Sequence, residues 1–274
     1  MNRIDQTFAR LREGDSRALI AYLTAGDPHP DRTAELALAL ERGGADILEL
    51  GVPFSDPMAD GPVIQKASER ALRAGTTLEK VIEIIREIRR SSELPVVVFS
   101  YLNPVLRYGF EAFAAKIAEA GADGALLTDL NIEAAEEYLE AMRARDLATV
   151  FLGAQTSTDE RLRQVAQAST GFLYLVSTAG VTGMRETISD AAIPLLERAR
   201  KATDLPLAIG FGLSRREHIE AVAPYAEGAI VGSAIMRVVE QYGESPELGA
   251  KLEELARELK SGLKVPQPAT GGVA

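Results

Sequence analysis

Ile47-Leu48-Glu49-Leu50-Gly51-Val52-Pro53-Phe54-Ser55-Asp56-Pro57-Met58-Ala59-Asp60-Gly61-Pro62 reads as a strand that runs into a stiff acidic loop. Side chains alternate along an extended chain, so Leu48 and Leu50 point one way while Ile47, Glu49 and Gly51 point the other. A buried row therefore ends in a carboxylate. Gly51 breaks the strand, and Pro53, Pro57 and Pro62 fix φ and withdraw backbone donors, so the ladder stops there. The loop then delivers a second carboxylate, Asp60. Two acids, one on a rigid strand end and one on a proline-stiffened loop, suit proton transfer at two points of one substrate. Each acid has a plainer alternative. A glutamate at a strand end also serves as a rim or ion-pair residue. Asp60, standing before Gly61-Pro62, also suits the cap of a helix beginning at Pro62.

The pattern around this stretch repeats. Short apolar runs at 18–23, 46–50, 96–101, 124–128, 148–152, 172–176, 207–209 and 229–231 alternate with segments of helical spacing. Strict alternation implies parallel strands joined by right-handed crossovers. Eight such units in 274 residues predict a closed (β/α)₈ TIM barrel. Ile4, Phe8 and Leu11 place an extra helix before the first strand, abutting or plugging the fold. Further short helices are expected after the second and eighth strands. The barrel is expected to occupy residues 1–264, with 265–274 as a flexible C-terminal tail. The doubly wound alternative would show a glycine-rich dinucleotide turn after its first strand. Thr24-Ala25-Gly26-Asp27-Pro28 does not fit that role. Gly44-Ala45-Asp46 is echoed at Gly121-Ala122-Asp123 and, more weakly, at Glu227-Gly228, which reads as repeated helix-to-strand turn chemistry.

Composition narrows the function. A net charge of −10 argues against nucleic acid or an anionic membrane as partner, since both need clustered Lys and Arg. An anionic substrate must then be held by backbone amides and local dipoles. The chain has no cysteine, hence no disulfide, thiolate nucleophile or thiolate metal site, and a cytoplasmic setting fits. The start of the chain lacks the apolar run of a signal peptide, and no stretch is long enough to cross a bilayer. His29 and His218 stand in no ligand spacing, so no metal site is expected, and neither lies near a nucleophile turn.

The working face of such a barrel is built from loops at the carboxyl ends of its strands. Ser177-Thr178-Ala179-Gly180-Val181-Thr182-Gly183 follows the sixth strand, Gly210-Phe211-Gly212-Leu213-Ser214 the seventh, and Gly232-Ser233 the eighth. Glycines let backbone N–H groups approach an anion, and a helix starting at Gly232 aims its positive end at the same point. A phosphate-bearing substrate follows from this clustering. Taken singly, Gly-Phe-Gly also suits a tight turn and Gly232-Ser233 a cap, while Ser214 with Glu217 forms a capping box. Tyr174 is either a filler of the barrel interior or a ring that contacts substrate.

Together these motifs resemble the tryptophan synthase alpha chain family. The likeness runs from Tyr22-Leu23-Thr24-Ala25-Gly26-Asp27-Pro28 through the acidic stretch and Gly180-Val181-Thr182-Gly183 to Gly232-Ser233-Ala234-Ile235. It implies retro-aldol cleavage of indole-3-glycerol phosphate to indole and glyceraldehyde 3-phosphate, with Glu49 and Asp60 as the catalytic carboxylates. It implies that Tyr22 and Tyr174 line the substrate site, and that Thr182 meets the Asp60 loop on closure. The phosphate would rest on Gly183, Phe211, Gly212, Gly232 and Ser233. It further implies an α₂β₂ complex with a tryptophan synthase beta chain that receives indole. Pyridoxal phosphate would belong to that partner, with no cofactor in this chain. Val52, Phe54 and Met58 offer an apolar docking surface for the partner, unless some of them fold inward. Asn131, Gln155 and Leu102 depart from the usual family residues at their positions.

Overall fold

The structure, a computed structural model, describes residues 2–177, 188–210 and 212–264. Its strands are β1 (Ala18–Thr24), β2 (Ile47–Gly51), β3 (Val96–Ser100), β4 (Gly124–Leu127), β5 (Ala148–Val150), β6 (Leu152–Ala154), β7 (Leu173–Val176), β8 (Leu207–Gly210) and β9 (Gly228–Val231). The helices before and among the first four strands are α1 (Arg3–Glu13), α2 (Thr33–Arg42), α3 (Pro62–Arg73), α4 (Leu78–Arg89), α5 (Leu102–Tyr108) and α6 (Phe110–Ala120). The remainder are α7 (Glu136–Arg143), α8 (Asp159–Ala168), α9 (Ile188–Arg200), α10 (Arg216–Val222), α11 (Ser233–Tyr242) and α12 (Leu248–Ser261).

All the strand pairings are parallel, in the order β5-β4-β3-β2-β1-β9-β8-β7-β6. The two ends of that order, β5 and β6, are halves of the single fifth strand expected from the sequence, so the chain itself closes the ring. The break is at Phe151. Its N–H donates to Ser169 Oγ at 3.2 Å, while its carbonyl accepts from Tyr174 N at 3.2 Å, so both of its backbone groups turn toward the β7 side. The result is the expected (β/α)₈ barrel, with α1 before it and paired helices after β2 and β9. The tail 265–274 lies outside the described residues.

The strands bury two faces. Leu48 and Leu50 join the apolar layer between strands and helices, whereas Ile47 joins Ile20, Val97, Leu126 and Phe172 inside the ring. Glu49, two residues beyond Ile47, therefore points inward. The lower interior is filled by α1, whose Ile4 and Phe8 are buried there, with Phe8 5.9 Å from Phe172 between ring centroids. Such a plug leaves the opposite end of the barrel as the open one.

The repeated Gly-Ala-Asp turns have a common purpose. Asp46 Oδ2 accepts Leu19 N at 2.8 Å, Asp123 Oδ2 accepts Val96 N at 2.8 Å, and Glu227 Oε2 accepts Leu207 N at 2.8 Å. Each acid leads one strand and ties down an early amide of the preceding one. A cation completes each set: Lys260 on Asp46, Arg3 and Arg89 on Asp123, and Arg200 on Glu227. Bonds between charged groups and backbone are the strong ones, so these turns fix strand offsets at the closed end. No helix among the described residues is long and apolar enough to cross a membrane.

Candidate active site

At the carboxyl ends of the strands lies a cavity of about 480 Å³. Seven of the residues singled out from the sequence line it together: Tyr22, Glu49, Asp60, Tyr174, Gly212, Gly232 and Ser233. Thr182, Gly183 and Phe211 lie outside the described residues. A roomier depression of about 800 Å³ sits beside α1 at the amino ends of the strands. It contains none of these groups.

Glu49 is completely buried, and neither of its carboxylate oxygens bonds to another protein group. A buried carboxylate without a partner is costly, so the group holds its proton instead. Burial pushes its pKa up to about 8. Strand β2 fixes its position, with Tyr22 beside it across the β1 register and Val97 beside it across the β3 register.

Asp60 is held differently. Its Oδ2 accepts the Tyr101 hydroxyl at 3.1 Å, and the same hydroxyl accepts Ala59 N–H at 2.9 Å. Burial raises its pKa to about 6, with the Tyr101 bond pulling the other way. At neutral pH the cavity thus presents one protonated and one ionised acid, an arrangement suited to acid and electrostatic roles within one site. The helix-cap alternative for Asp60 fails, because Gly61 occupies the cap of α3 and no side chain caps that end. Prolines leave less to cap: Pro62 opens the helix without an N–H to satisfy.

Two glycines make room for the tyrosines. A Cβ on Gly51 would stand 2.3 Å from Tyr22 Oη, and one on Gly210 would stand 2.7 Å from Tyr174 Oη. Both hydroxyls stay protonated. For Tyr22, burial raises the pKa most, followed by Asp60. For Tyr174 burial again leads, followed by Glu49. Tyr174 therefore belongs to the cavity wall and not only to the barrel filling.

The glycine end is built from β8, β9 and α11. Gly232 is the cap residue of α11 and Ser233 its first residue, with no side-chain cap bond. The N–H groups of that turn face outward without an internal partner, as a helix start requires, and Gly212 adopts φ +78°. The capping box assigned to Ser214 is not formed: Arg215 caps α10 without a side-chain bond, and the Ser214 amide turns to His218 Nδ1 at 3.4 Å. Of the apolar docking residues, Val52 is buried and Phe54 lies 5.1 Å from Tyr101 between ring centroids. Only Met58 stands out, 92% exposed.

The sequence reading missed Tyr101, Phe99 and Arg237. Phe99 and Arg237 line the cavity, and Tyr101 supports Asp60 from behind. Tyr101 had a usable signal, being the polar-tipped aromatic that follows the last residue of a strand at the working face.

The sequence profile of the tryptophan synthase alpha chain family matches residues 8–264. The chain is 56% identical over 262 residues to the tryptophan synthase alpha chain of Solibacter usitatus, covering 96% of this chain and 98% of that one. It is 45% identical over 272 residues to the alpha chain of Geotalea uraniireducens, covering 99% and 100%. Among solved structures it is similar to tryptophan synthase subunit alpha from Legionella pneumophila, with TM-score 0.88, 35% identity and coverage of 96% and 98%. Tryptophan synthase from M. tuberculosis superposes with TM-score 0.87 at 36% identity, covering 96% of this chain and 99% of that one.

Proposed function

The chain belongs to the tryptophan synthase alpha chain family, whose members cleave indole-3-glycerol phosphate to indole and glyceraldehyde 3-phosphate, and we propose that Glu49 and Asp60 carry out this cleavage. The protein is a carbon-carbon lyase of tryptophan biosynthesis. One observation carries the assignment of roles: two acids line one cavity, Glu49 fully buried with neither oxygen bonded to protein and Asp60 held by the Tyr101 hydroxyl.

Cleavage requires ring carbon 3 to gain a proton and the side-chain hydroxyl next to the breaking bond to lose one. Glu49, neutral at rest, donates the first proton. The carboxylate it becomes then accepts the hydroxyl proton, and the bond between ring and side chain breaks with its electron pair returning to the ring. The proton balance closes on a single residue. Asp60, ionised, accepts the indole N–H and stabilises the positive charge that develops on the ring when carbon 3 is protonated. Tyr101 keeps Asp60 ionised and aimed. Tyr22, Phe99 and Tyr174 supply apolar walls for the planar ring. The phosphate rests on the amides around Gly183, Phe211, Gly212, Gly232 and Ser233, with Thr182 closing over Asp60.

The family's alpha reaction needs no cofactor, and the chain works with a beta chain. We infer an α₂β₂ complex in the cytoplasm, with pyridoxal phosphate held by the beta chain and indole passed to it directly. The exposed Met58, on the acidic loop beside Asp60, suits a contact through which the partner influences that acid.

The test is cleavage by Glu49→Gln and Asp60→Asn, which keep shape but not proton chemistry. Each should lose roughly 10²–10⁴ in turnover while still binding substrate. Near wild-type turnover in both would remove the acid pair from the mechanism.

A further inference from the structure

The cavity asks a dianion to enter beside the ionised Asp60 in a chain of net charge −10. Backbone amides and a helix start supply only partial positive charge, about half an elementary charge for a whole helix end. Among the described residues lining the cavity there is one full cation, Arg237. We propose that Arg237 binds the substrate's phosphate, contributing the full charge that the main-chain cradle lacks. The inference rests on the phosphate assignment given above and adds a side chain to it.

Geometry favours this role. Arg237 stands four residues after Ser233 on α11, on the same helix face. Helical side chains lean toward the amino end, so a long arginine there reaches back over the turn that begins at Gly232. Arg237 and Ser233 both face the cavity. The nearest acid on that face of the helix, Glu240, is already engaged by Arg70 at 3.5 Å and Lys66 at 3.9 Å. Arg70 in turn clamps the buried Asp27 through two bonds of 2.8 Å. That ionic cluster leaves Arg237 without a hydrogen bond or ion pair among the described residues. An arginine's planar fork matches two phosphate oxygens at once, which a lysine's single ammonium does not. At neutral pH the phosphate is mostly dianionic, with its second pKa near ~6.

The experiment compares wild type, Arg237→Gln and Arg237→Lys in complex with the beta chain. It measures kcat and KM for indole-3-glycerol phosphate, inhibition by inorganic phosphate, and binding of indole. In Arg237→Gln, KM and the phosphate inhibition constant should rise together, by roughly five- to tenfold for a solvent-facing charge. The loss should shrink as salt is raised, because the Debye length falls below about 10 Å. Indole binding should stay put, and Arg237→Lys should recover part of the loss. Unchanged phosphate inhibition in Arg237→Gln, or a parallel loss of indole binding, overturns the proposal for Arg237 while leaving the glycine cradle intact. Wild type that inorganic phosphate does not inhibit in competition with substrate would instead overturn the cradle itself.

Discussion

The Tyr101 hydroxyl donates to Asp60 Oδ2 at 3.1 Å while accepting the Ala59 amide at 2.9 Å. One ring from the end of β3 thus fixes both the position and the ionisation of an acid on the preceding loop. The bond opposes the rise in Asp60's pKa that burial causes. Tyr101→Phe should therefore raise that pKa above about 6, because the charged form loses a donor. The acid limb of kcat/KM against pH should move toward neutrality by comparison with wild type. The substrate phosphate titrates in both proteins, so only the difference between the two profiles reports Asp60. An unshifted limb would show that the hydroxyl does not tune this acid.

Gly210 and Gly51 make contrasting predictions. A Cβ at position 210 would press on the Tyr174 hydroxyl at 2.7 Å, with ring carbons at 3.1 Å. Gly210→Ala should cost about 1–3 kcal/mol by overpacking, and adding Tyr174→Phe should recover much of it. At position 51 the ring carbons of Tyr22 are themselves at 2.7 and 2.9 Å. There Tyr22→Phe should give little relief to Gly51→Ala. Denaturant unfolding of the four variants checks both statements.

Glu49 should reduce stability in a pH-dependent way. Its folded pKa is about 8 against an ordinary 4.5, so the unfolded chain releases a proton that the folded chain retains. Stability is then present in full below about 4.5 and drains away as pH rises, until the folded group ionises near 8. Glu49→Gln removes the drain. The variant should unfold like wild type near pH 4.5 and be increasingly more stable up to about pH 8, by an amount on the order of 4 kcal/mol. A constant difference across that range would place Glu49 in a more polar setting. The gain in stability should accompany loss of turnover, the usual exchange at a site held away from its stability optimum.

Much of this was legible in the residues. Alternation of apolar runs with helical spacing predicted a barrel, and period two along Ile47, Glu49 and Gly51 put the glutamate on the inner face. Periodicity could not show that the fifth strand breaks at Phe151, whose N–H donates to a side chain distant in sequence, Ser169 Oγ, instead of to a neighbouring strand. Helix α5 was not expected, and its Asn103-Pro104 pair disfavours helical backbone just before the proline. Pro104 instead falls in the first turn, where its missing N–H costs nothing. The cap readings of Asp60 and Ser214 failed because the residues after them took the cap position, a shift of one residue that local pattern does not resolve. Arg237 gave no signal at all, since a single arginine on a surface helix is identified only by what it faces.

The central claim is that Glu49 waits in its protonated form beside an ionised Asp60. The most direct measurement is a carbon-13 NMR titration of the glutamate side-chain carboxyls, with the Glu49 resonance assigned by its absence in Glu49→Gln. The midpoint should fall near 8. A midpoint in the ordinary glutamate range, about 4.3, would contradict it, because an acid ionised at neutral pH could not deliver the first proton.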